Sequence, residues 1–510
     1  MMKSYRARLI AVLVCLAVLR ALYVAYGPFD LSPDEAHYWD WSRRLDLSYY
    51  SKGPMVAYVI AFFTSIFGAT DFGVRIGTVI LSALSSYMIF MLGRELFESE
   101  KVGFYAALLV NAVPLYSIGA ILMTTDALLV FFWAASIYSL KKAIDGDKYW
   151  WYVSGALIGL GFLGKYIAVL LYPVVALYLF IVREQRHWLK RFEPYGAGLL
   201  SLVFATPVIY WNISHGQVTI KHTMGQAGTE AAFLPWKSFF DFLGSQAGLV
   251  TPLIFAGLVY GAIICGREGF RSKKNGLLLA FFASAPVFLL FLFKSLHGKV
   301  QGNWAVASYV TAVPAAVWAI TLAYDKAARG RKKIWKGVIS VGVVLGAVVS
   351  ILAYFPWPLE ALGAKKMISG PPYNRVTGWS GLGDKVSGIK RMMDSAGSGV
   401  PVFIMSDTYQ IASELAFYVD GNPVVYNVDT GSRRMNQYDL WPGFEGFTGQ
   451  DALYVKGGAE SIEPQVGSAF ERCEKEAVRI TIREGINKDF SVFRCYGFKG
   501  MDRPDSHERY

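Results

Sequence analysis

The stretch Ser32–Trp41, SPDEAHYWDW, directly follows the first long apolar run of the chain, Leu9–Tyr26. It holds three acids, Asp34, Glu35 and Asp40, within seven residues. Neighbouring carboxylates at a low-dielectric surface have a raised proton affinity, which is the property that a general base for a hydroxyl needs. The local alternative is that Asp34 caps a short interfacial helix, with Glu35 in its first turn. The rest of the chain is interpreted outward from this stretch.

The composition indicates a membrane protein that also carries a soluble part. Of the 510 residues, 54% are hydrophobic and 15% aromatic, and the mean hydropathy is +0.36. Charged residues make up 17%, against about 25% in ordinary globular domains. The net charge is +12, but the basic residues cluster in short loops between apolar runs, which is the pattern of topogenic charge. We therefore predict no nucleic-acid partner.

About eleven apolar segments are long enough to cross a membrane. In chain order they are Leu9–Tyr26, Val74–Leu92, Val102–Leu122, Leu128–Leu140, Tyr149–Leu163, Ile167–Val182, Gly196–Ile213, Phe239–Cys265, Leu277–Phe293, Val306–Ala323 and Val338–Phe355. No small-residue cleavage site follows the first segment, so we expect it to be retained as a span. The shorter run Met55–Phe67 lies between Lys52-Gly53-Pro54 and Gly68, and we predict an interfacial or re-entrant helix there.

The distribution of Lys and Arg predicts the orientation. If the N-terminus is cytoplasmic and Met55–Phe67 does not cross, nearly all clustered basic residues fall in cytoplasmic connections. These connections are Arg94–Lys101, Lys141–Lys148, Arg183–Arg191, Arg267–Lys274 and Lys326–Lys336. Counting Met55–Phe67 as a crossing would invert every later loop and break this pattern. We therefore predict an odd number of spans, with the C-terminus outside.

From Trp357 the composition becomes that of a soluble domain of ordinary size. We predict a helix at Tyr409–Tyr418, strands at Val400–Ser406, Pro423–Val428 and Ala452–Val455, and a hairpin of Val478–Ile482 with Phe490–Phe498. Cys473 and Cys495 are candidates for a disulfide if this domain lies outside the cytoplasm. The predicted fold class is a polytopic α-helical membrane protein of about eleven transmembrane helices plus interfacial helices, with a C-terminal soluble α/β domain. Its parts are a membrane domain at 1–356, with a first outer loop at 27–73, and the soluble domain at 357–510.

Acids and isolated cations collect on the predicted outer face. Lys52 precedes Pro54, Asp126 heads a span, and Lys165 stands alone between two apolar segments. Such a face suits a phosphate-bearing lipid, because Lys and Arg bind phosphate while a carboxylate acts on the reaction partner. The alternatives are that Asp126 caps the helix that follows it and that Lys165 reaches the lipid headgroups. His215 and His222 fit no compact metal-ligand motif, so we do not assign them as metal ligands.

Four motifs taken together resemble a known family. They are the Asp34-Glu35 pair after the first span, the Lys52-Gly53-Pro54 turn, Asp126 at the head of a later outer span, and Lys299–Trp304, KVQGNW. They are similar to motifs of the membrane glycosyltransferases of the C-type fold (GT-C). Among these, the chain most resembles the bacterial aminoarabinose transferases that act on lipid A and the protein O-mannosyltransferases. The resemblance covers about the first 320 residues, and the tail segment Asn436–Trp441, NQYDLW, resembles the periplasmic tail of the bacterial branch.

The resemblance implies a polyprenyl-phosphate-linked sugar as donor and a lipid, glycan or protein acceptor. It also implies a multi-pass location in the bacterial inner membrane, with the C-terminal domain in the periplasm. Asp34 matches the proposed base or acceptor-orienting acid, with Glu35 beside it as a second catalytic candidate. Lys52 matches the lysine that meets the donor phosphate, and Asp126 matches the acid of the second outer loop. Lys165 occupies a place where members carry a phosphate-facing cation.

The remaining candidates lie in the same outer loops. We expect Lys299 to bind the donor phosphate, and a donor or acceptor pocket to be lined by His37, Tyr38, His215 and Asn303. Ser51 stands where aminoarabinose transferases carry an acid that helps to hold a metal. Aminoarabinose specificity therefore does not follow from the resemblance, no cofactor is assigned, and the requirement for a divalent metal stays open.

A sugar phosphodiester has a phosphate leaving group that departs without an acid, so one base is sufficient for transfer. We therefore expect an inverting glycosyltransferase in which Asp34 activates the acceptor while Lys52 and Lys165 hold the phosphate. The alternatives are a flippase or transporter of a lipid-linked sugar and a non-catalytic subunit that binds polyprenyl lipids. The scarcity of intramembrane acids, the lack of an inverted repeat and the one-sided polar groups disfavour a flippase.

Overall fold

The computed structural model of the protein describes residues 5–227, 236–364, 370, 373–396, 399–430 and 435–501. Its first part is a bundle of helices, and its second part is a small sheet with helices beside it. The helices of the first part are α1 (Tyr5–Tyr26), α2 (Pro33–Ser42), α3 (Met55–Phe67), α4 (Asp71–Phe97), α5 (Glu100–Ala112), α6 (Pro114–Gly119), α7 (Thr125–Ile144), α8 (Trp150–Gly164), α9 (Leu171–Ile181), α10 (Glu193–Ser214), α11 (Val218–Ala227), α12 (Trp236–Val250), α13 (Pro252–Ser272), α14 (Asn275–Lys294), α15 (Val306–Lys326), α16 (Arg329–Tyr354) and α17 (Pro358–Ala361).

The number of helices that can cross a membrane differs from the predicted number. In the described residues, eight helices are long and apolar enough to span, namely α1, α4, α7, α10, α13, α14, α15 and α16. A ninth span results if Tyr166–Ile181 and Arg183–Lys190, which are bent by 117° relative to each other, count as one. The prediction of about eleven spans is therefore not confirmed.

Proline accounts for part of this difference. The predicted segment Val102–Leu122 divides into α5 and α6 at Pro114, which occupies the first position of α6. A proline inside one continuous helix would remove a hydrogen bond and clash with the preceding turn. Likewise, Phe239–Cys265 divides at Thr251, whose φ is +67°, just before Pro252. Each of these predicted segments is therefore a pair of helices, but α13 remains long enough to span, so of the two breaks only the one at Pro114 lowers the number of spans.

The helix predicted at Met55–Phe67 is present with the same bounds as α3. With 13 residues, it is only about 20 Å long at 1.5 Å per residue, less than the hydrocarbon thickness of about 30 Å. Its last carbonyls are followed by Gly68 with φ +77°, a conformation that favours glycine. The chain then turns into α4, whose first residue is Asp71.

The C-terminal part has the predicted α/β character. Its strands are β1 (Phe403–Ser406), β2 (Val425–Asn427), β3 (Ala452–Gly457), β4 (Phe470–Arg483) and β5 (Ile486–Phe498), and its helices are α18 (Trp379–Ala396), α19 (Tyr409–Tyr418) and α20 (Pro464–Ser468). The strand order is β2-β1-β3-β5-β4. β1 is parallel to β2 and β3, whereas β5 is antiparallel to β3 and β4. Cys473 and Cys495 face each other in the β4–β5 hairpin and form a disulfide.

The first outer loop and the C-terminal part share one hydrophobic core. Trp39 and Val56 of the loop belong to the same buried cluster as Leu382 of α18 and Leu415 of α19. Trp39 packs edge-on against Phe417, with 4.8 Å between the ring centroids. The C-terminal sheet and helices are therefore fixed directly over the segment that carries the acid pair.

Polar contacts reinforce this packing. The backbone N–H of Leu31 donates to the Tyr418 hydroxyl at 2.7 Å, and the N–H of Trp379 donates to Asp30 at 2.7 Å. The hydroxyl of Tyr438 donates to the buried carboxylate of Asp40 at 2.7 Å. These bonds connect residues more than 340 positions apart in the sequence. The loop and the domain therefore lie on the same side of the helical bundle.

Candidate functional site

Asp34 lies in the first turn of α2, where its carboxylate is 43% exposed. Ser32, rather than Asp34, caps this helix, since the Ser32 hydroxyl accepts from the Glu35 N–H at 3.4 Å. Proline at the first helical position presets the backbone for this start. Asp34 is thus placed at the helix end without being used as its cap. This geometry leaves its carboxylate available to other groups.

Two groups of the C-terminal part contact the Asp34 carboxylate. The Arg375 guanidinium lies 3.0 Å from Oδ2, and the Tyr409 hydroxyl donates to Oδ1 at 3.4 Å. Sequence reasoning did not assign either residue to the site. No local pattern in the sequence links Arg375 to a residue 341 positions earlier.

Glu35 has a different environment from its neighbour. It is fully buried, and its two carboxylate oxygens accept five hydrogen bonds. Arg75 of α4 donates two of them at 2.9 Å, Ser32 donates two, and the Met123 N–H donates one at 2.8 Å. This carboxylate has no free approach for an acceptor hydroxyl. The structure therefore places Glu35 as a residue that joins α2 to α4 and to the chain before α7, which does not fit the catalytic role expected for it.

Asp126 connects three separate segments of the membrane part. Its carboxylate pairs with the ammonium of Lys165 through one oxygen and accepts from the Asn303 side-chain amide at 2.6 Å through the other. The helix cap of α7 is Thr124, which accepts from the Asp126 N–H at 3.3 Å. Lys165 is 8% exposed, so it does not reach outward to headgroups. The structure thus brings together Asp126, Lys165 and Asn303, which were selected from the sequence separately.

Lys52 lies next to this cluster. The turn at Gly53 packs against the end of α8 so closely that a Cβ on Gly53 would lie 2.1 Å from the carbonyl oxygen of Leu163. Burial lowers the pKa of Lys52, the charge of Lys165 lowers this pKa further, and the charges of Asp126 and Asp34 raise it. Its ammonium forms no hydrogen bond or ion pair with any residue that the structure describes. Lys52 is therefore a cation near other charged groups, and its three N–H donors have no acceptor in the described residues.

Tyr38 and His37 line the inner side of α2. Tyr38 is 9% exposed, and burial together with the charges of Asp34, Tyr409 and Asp126 raises the pKa of its hydroxyl well above the usual value. His37 is held among rings, and burial lowers its pKa to about 4, against the opposing effect of Asp40 and Asp34. A histidine that stays neutral at physiological pH cannot supply positive charge to a phosphate. Tyr38 therefore lies beside the charged cluster, whereas His37 packs against the rings of Tyr409 and Tyr438.

Two predicted residues are not joined to this cluster. His215 stacks on Trp211 with 4.0 Å between the ring centroids, and its Nδ1 lies 2.8 Å from the Trp211 carbonyl oxygen. It is the C-terminal cap of α10. Lys299 is exposed, and no contact with Asp126 or Asp34 is seen in the described part of the chain.

A cavity of about 190 Å³ begins at Asp126 and extends among the helices of the membrane part. Its walls are mostly apolar, with Ile89 and Leu249 among them. Its lining also includes Ser85, whose buried hydroxyl has no partner in the residues described, and Asn111, which accepts from Arg20 at 2.9 Å. The charged cluster is thus continuous with an apolar space inside the bundle. In the described residues, no group of three or more His, Cys, Asp or Glu side chains is arranged to hold a metal ion.

Known proteins are similar to this chain in sequence and in fold. Residues 51–211 match the family described as dolichyl-phosphate-mannose-protein mannosyltransferase. The lipid A galacturonosyltransferase RgtD of Rhizobium johnstonii is 28% identical over 318 residues, which are 61% of this chain and 65% of that protein. An undecaprenyl phosphate-α-4-amino-4-deoxy-L-arabinose arabinosyl transferase of Proteus mirabilis is 25% identical over 389 residues, which are 69% of this chain and 66% of that protein. The match spans slightly less than two thirds of each relative's own length.

Solved structures extend the similarity to nearly the whole chain. The crystal structure of ArnT from Cupriavidus metallidurans bound to undecaprenyl phosphate superposes with a TM-score of 0.63 at 15% identity, covering 95% of this chain and 97% of ArnT. The archaeal oligosaccharyltransferase AglB from Archaeoglobus fulgidus superposes with a TM-score of 0.53 at 13% identity, covering 88% of this chain and 69% of AglB. The chain is therefore a multi-pass membrane protein with the C-type fold of membrane glycosyltransferases, as its sequence motifs led us to expect.

Proposed function

We propose that the protein transfers a sugar from a polyprenyl-phosphate-linked donor to a hydroxyl of an envelope acceptor. The observation that carries this proposal is the position of two acids, Asp34 and Asp126, and two lysines, Lys52 and Lys165, around one junction of the first loop with the helical bundle. A carboxylate that can accept a proton and cations that can hold a phosphate are the two requirements of the reaction.

The proposed reaction is a single displacement. Asp34 accepts the proton of the acceptor hydroxyl, and the oxygen attacks the anomeric carbon of the donor. The bond between this carbon and the phosphate oxygen breaks, and the lipid phosphate leaves with the electron pair. Attack opposite to the leaving group inverts the anomeric carbon. One general base is sufficient, because a phosphate leaves without being protonated.

The lysines stabilise the charge that develops on the leaving phosphate. Lys52 has no protein partner in the described residues, so its ammonium can bind a phosphate oxygen without breaking an existing bond. Lys165 is oriented by Asp126, which Asn303 orients in turn. A positioned pair of charges needs little rearrangement during the reaction, which is the condition for electrostatic stabilisation of a transition state. We assign Asp126 and Asn303 the role of positioning Lys165.

The cavity beside Asp126 supports a lipid substrate. An apolar space that begins at the charged cluster lets an aliphatic chain lie inside the bundle while its phosphate remains at the lysines. The ArnT structure with undecaprenyl phosphate shows that this fold holds such a lipid. Relatives named for lipid A galacturonosyl transfer and aminoarabinosyl transfer support an envelope acceptor of the lipid A class.

We further propose that the first outer loop and the C-terminal domain face the periplasm, with the N-terminus in the cytoplasm. The basic loops support this orientation through the positive-inside rule. The shared core of loop and domain requires an even number of crossings between α1 and the C-terminal domain. The division into domains at residues 356 and 357 stays a prediction, since the first loop packs into the domain that follows.

The test is an assay of the purified full-length protein in liposomes. The two donors to compare are undecaprenyl phosphate carrying galacturonic acid and undecaprenyl phosphate carrying 4-amino-4-deoxy-L-arabinose, each with lipid A as acceptor. A gain in lipid A mass equal to one sugar residue supports the proposal, and the Asp34→Asn variant should give none. Movement of intact donor across the bilayer without any change in lipid A mass would instead establish the flippase. Binding without movement or transfer would establish the non-catalytic subunit.

A further inference from the structure

We propose that the C-terminal domain completes the active site, with Arg375 as the residue that positions Asp34. This inference rests on the proposed function and adds to it a part of the chain outside the membrane domain. In it, Arg375 fixes the orientation of the carboxylate, so that Asp34 is in place to accept the proton of the acceptor.

The contact between Arg375 and Asp34 is well placed for this role. Nη2 of Arg375 lies 3.0 Å from Oδ2 of Asp34, and the Tyr409 hydroxyl lies 3.4 Å from the other oxygen, so the two contacts define the plane of the carboxylate. Arg375 lies in a short helical turn, Tyr373–Arg375, before α18. Its own carbonyl oxygen accepts from the Trp379 indole N–H at 2.9 Å, which ties the turn to the domain core. The arginine is thus held by the C-terminal domain and reaches down to α2.

The surroundings of Asp34 show why a fixed cation matters here. Asp34 is 43% exposed, and a carboxylate on a water-exposed helix end would otherwise rotate freely among rotamers. The charged and titratable groups that face it are Lys52 from the first loop, His37 and Tyr38 from its own helix, and Arg375 and Tyr409 from the C-terminal domain. Among these, Arg375 is the group whose charge lies in direct contact with the carboxylate. A guanidinium at 3.0 Å holds its partner carboxylate through a charge-assisted hydrogen bond of defined direction.

The shared core makes the arrangement rigid. Ser413 of α19 donates to the carbonyl oxygen of Pro33 at 3.3 Å, directly before Asp34 in the chain. The Tyr418 hydroxyl of the same helix donates to Asp71 at the start of α4 at 2.6 Å. The domain therefore contacts the backbone directly before Asp34, the side chain of Asp34 itself and the first residue of α4. On this view the domain is part of the catalytic framework.

The experiment measures transfer to lipid A in liposomes by the full-length protein, as kcat and as KM for the donor. The variants are Arg375→Gln, Arg375→Lys and the control Arg479→Gln. Arg479 pairs with Asp489 at 2.7 Å in the β4–β5 hairpin, and both side chains are exposed, as are those of the Arg375–Asp34 pair. The substitution at 375 leaves the backbone bond to Trp379 in place, so the domain is expected to stay folded, as its melting temperature will show.

In Arg375→Gln we expect kcat to fall about tenfold or more with little change in KM for the donor. Arg375→Lys should recover part of the lost rate, because it restores a cation beside the carboxylate, and Arg479→Gln should match the wild type. An unchanged kcat in a folded Arg375→Gln protein would overturn the inference, as would equal losses of rate in Arg375→Lys and Arg375→Gln. If the wild type transfers no sugar, the proposed function itself is wrong. If the wild type and Arg375→Gln are equally active, only the inference about Arg375 is wrong.

Discussion

Asp126 of α7 and Lys165 at the end of α8 form an ion pair, although 39 positions separate them in the chain. Both side chains are largely buried, with 20% and 9% of their surface exposed. Asn303, from a third segment, completes the arrangement through a bond of 2.6 Å to the second carboxylate oxygen. We therefore expect the pair to stabilise the helical bundle, in addition to its proposed role in transfer.

We expect Asp126→Asn to destabilise the protein by about 1–3 kcal/mol. The full cost of breaking a buried pair is larger, but the partial exposure of Asp126 reduces it. Thermal unfolding in detergent measures the change, and the double variant with Lys165→Met should recover part of it. The control is Lys237→Ala, which removes an exposed pair with Asp241 and should change stability by less than about 0.5 kcal/mol. Equal losses of stability in Asp126→Asn and Lys237→Ala would contradict the assignment of Asp126 and Lys165 as a buried ion pair.

The neighbouring acids Asp34 and Glu35 should respond to substitution in opposite ways. Asp34→Asn should abolish transfer while changing stability by less than about 1 kcal/mol, because its ion pair is half exposed. Glu35→Gln should destabilise by about 3–5 kcal/mol, since it leaves the buried Arg75 without a charged partner. Activity and melting temperature measured on the same samples separate the two cases. A stable, inactive Glu35→Gln protein would restore Glu35 as a catalytic residue.

Gly53→Ala tests the placement of Lys52. The added Cβ would lie 2.1 Å from the Leu163 carbonyl oxygen, so the turn must move away from α8 and carry Lys52 with it. We expect a loss of about 1–3 kcal/mol of stability, typical of overpacking, and a fall in transfer of tenfold or more. Gly388→Ala is the matched control, since a Cβ there meets nothing within 4 Å on an α18 position. Wild-type transfer by Gly53→Ala would show that the position of Lys52 is unimportant.

Glu414 of α19 makes the stability of the protein depend on pH. It is 1% exposed, and neither carboxylate oxygen has a hydrogen-bond partner in the described residues. Burial, followed by the charge of Asp30, raises its pKa well above the model-compound value of 4.5, against the opposing charge of Lys488. The folded state therefore retains a proton that the unfolded state loses, and stability falls as pH rises above about 4.5 toward the folded pKa.

Glu414→Gln should remove this dependence and raise the melting temperature at pH 7 and above. The glutamine keeps the shape of the protonated acid without the cost of ionising it in the core. Melting curves between pH 5 and pH 8 for wild type and variant provide the measurement. A destabilised variant at pH 7 would mean that Glu414 is ionised and paired in the folded protein.

The sequence by itself determined the local elements of this protein. The helix α3 and the helix Tyr409–Tyr418 have the predicted bounds, because apolar periodicity and the flanking Gly, Pro and Thr residues act within a few positions. The predicted hairpin is confirmed but is longer, since β4 begins at Phe470. The number of spans was less predictable, because a break inside an apolar run depends on how its two halves pack.

Tertiary structure alone decided what each charged residue does. The pair Asp34-Glu35 is one motif in the sequence, yet one acid faces Arg375 and the other is enclosed by Arg75. Partners that lie 341 and 40 positions away leave no trace in the spacing of neighbouring residues. Whether a carboxylate is exposed or enclosed depends on the folded chain around it, because burial and contact distance set its hydration and its electrostatic environment.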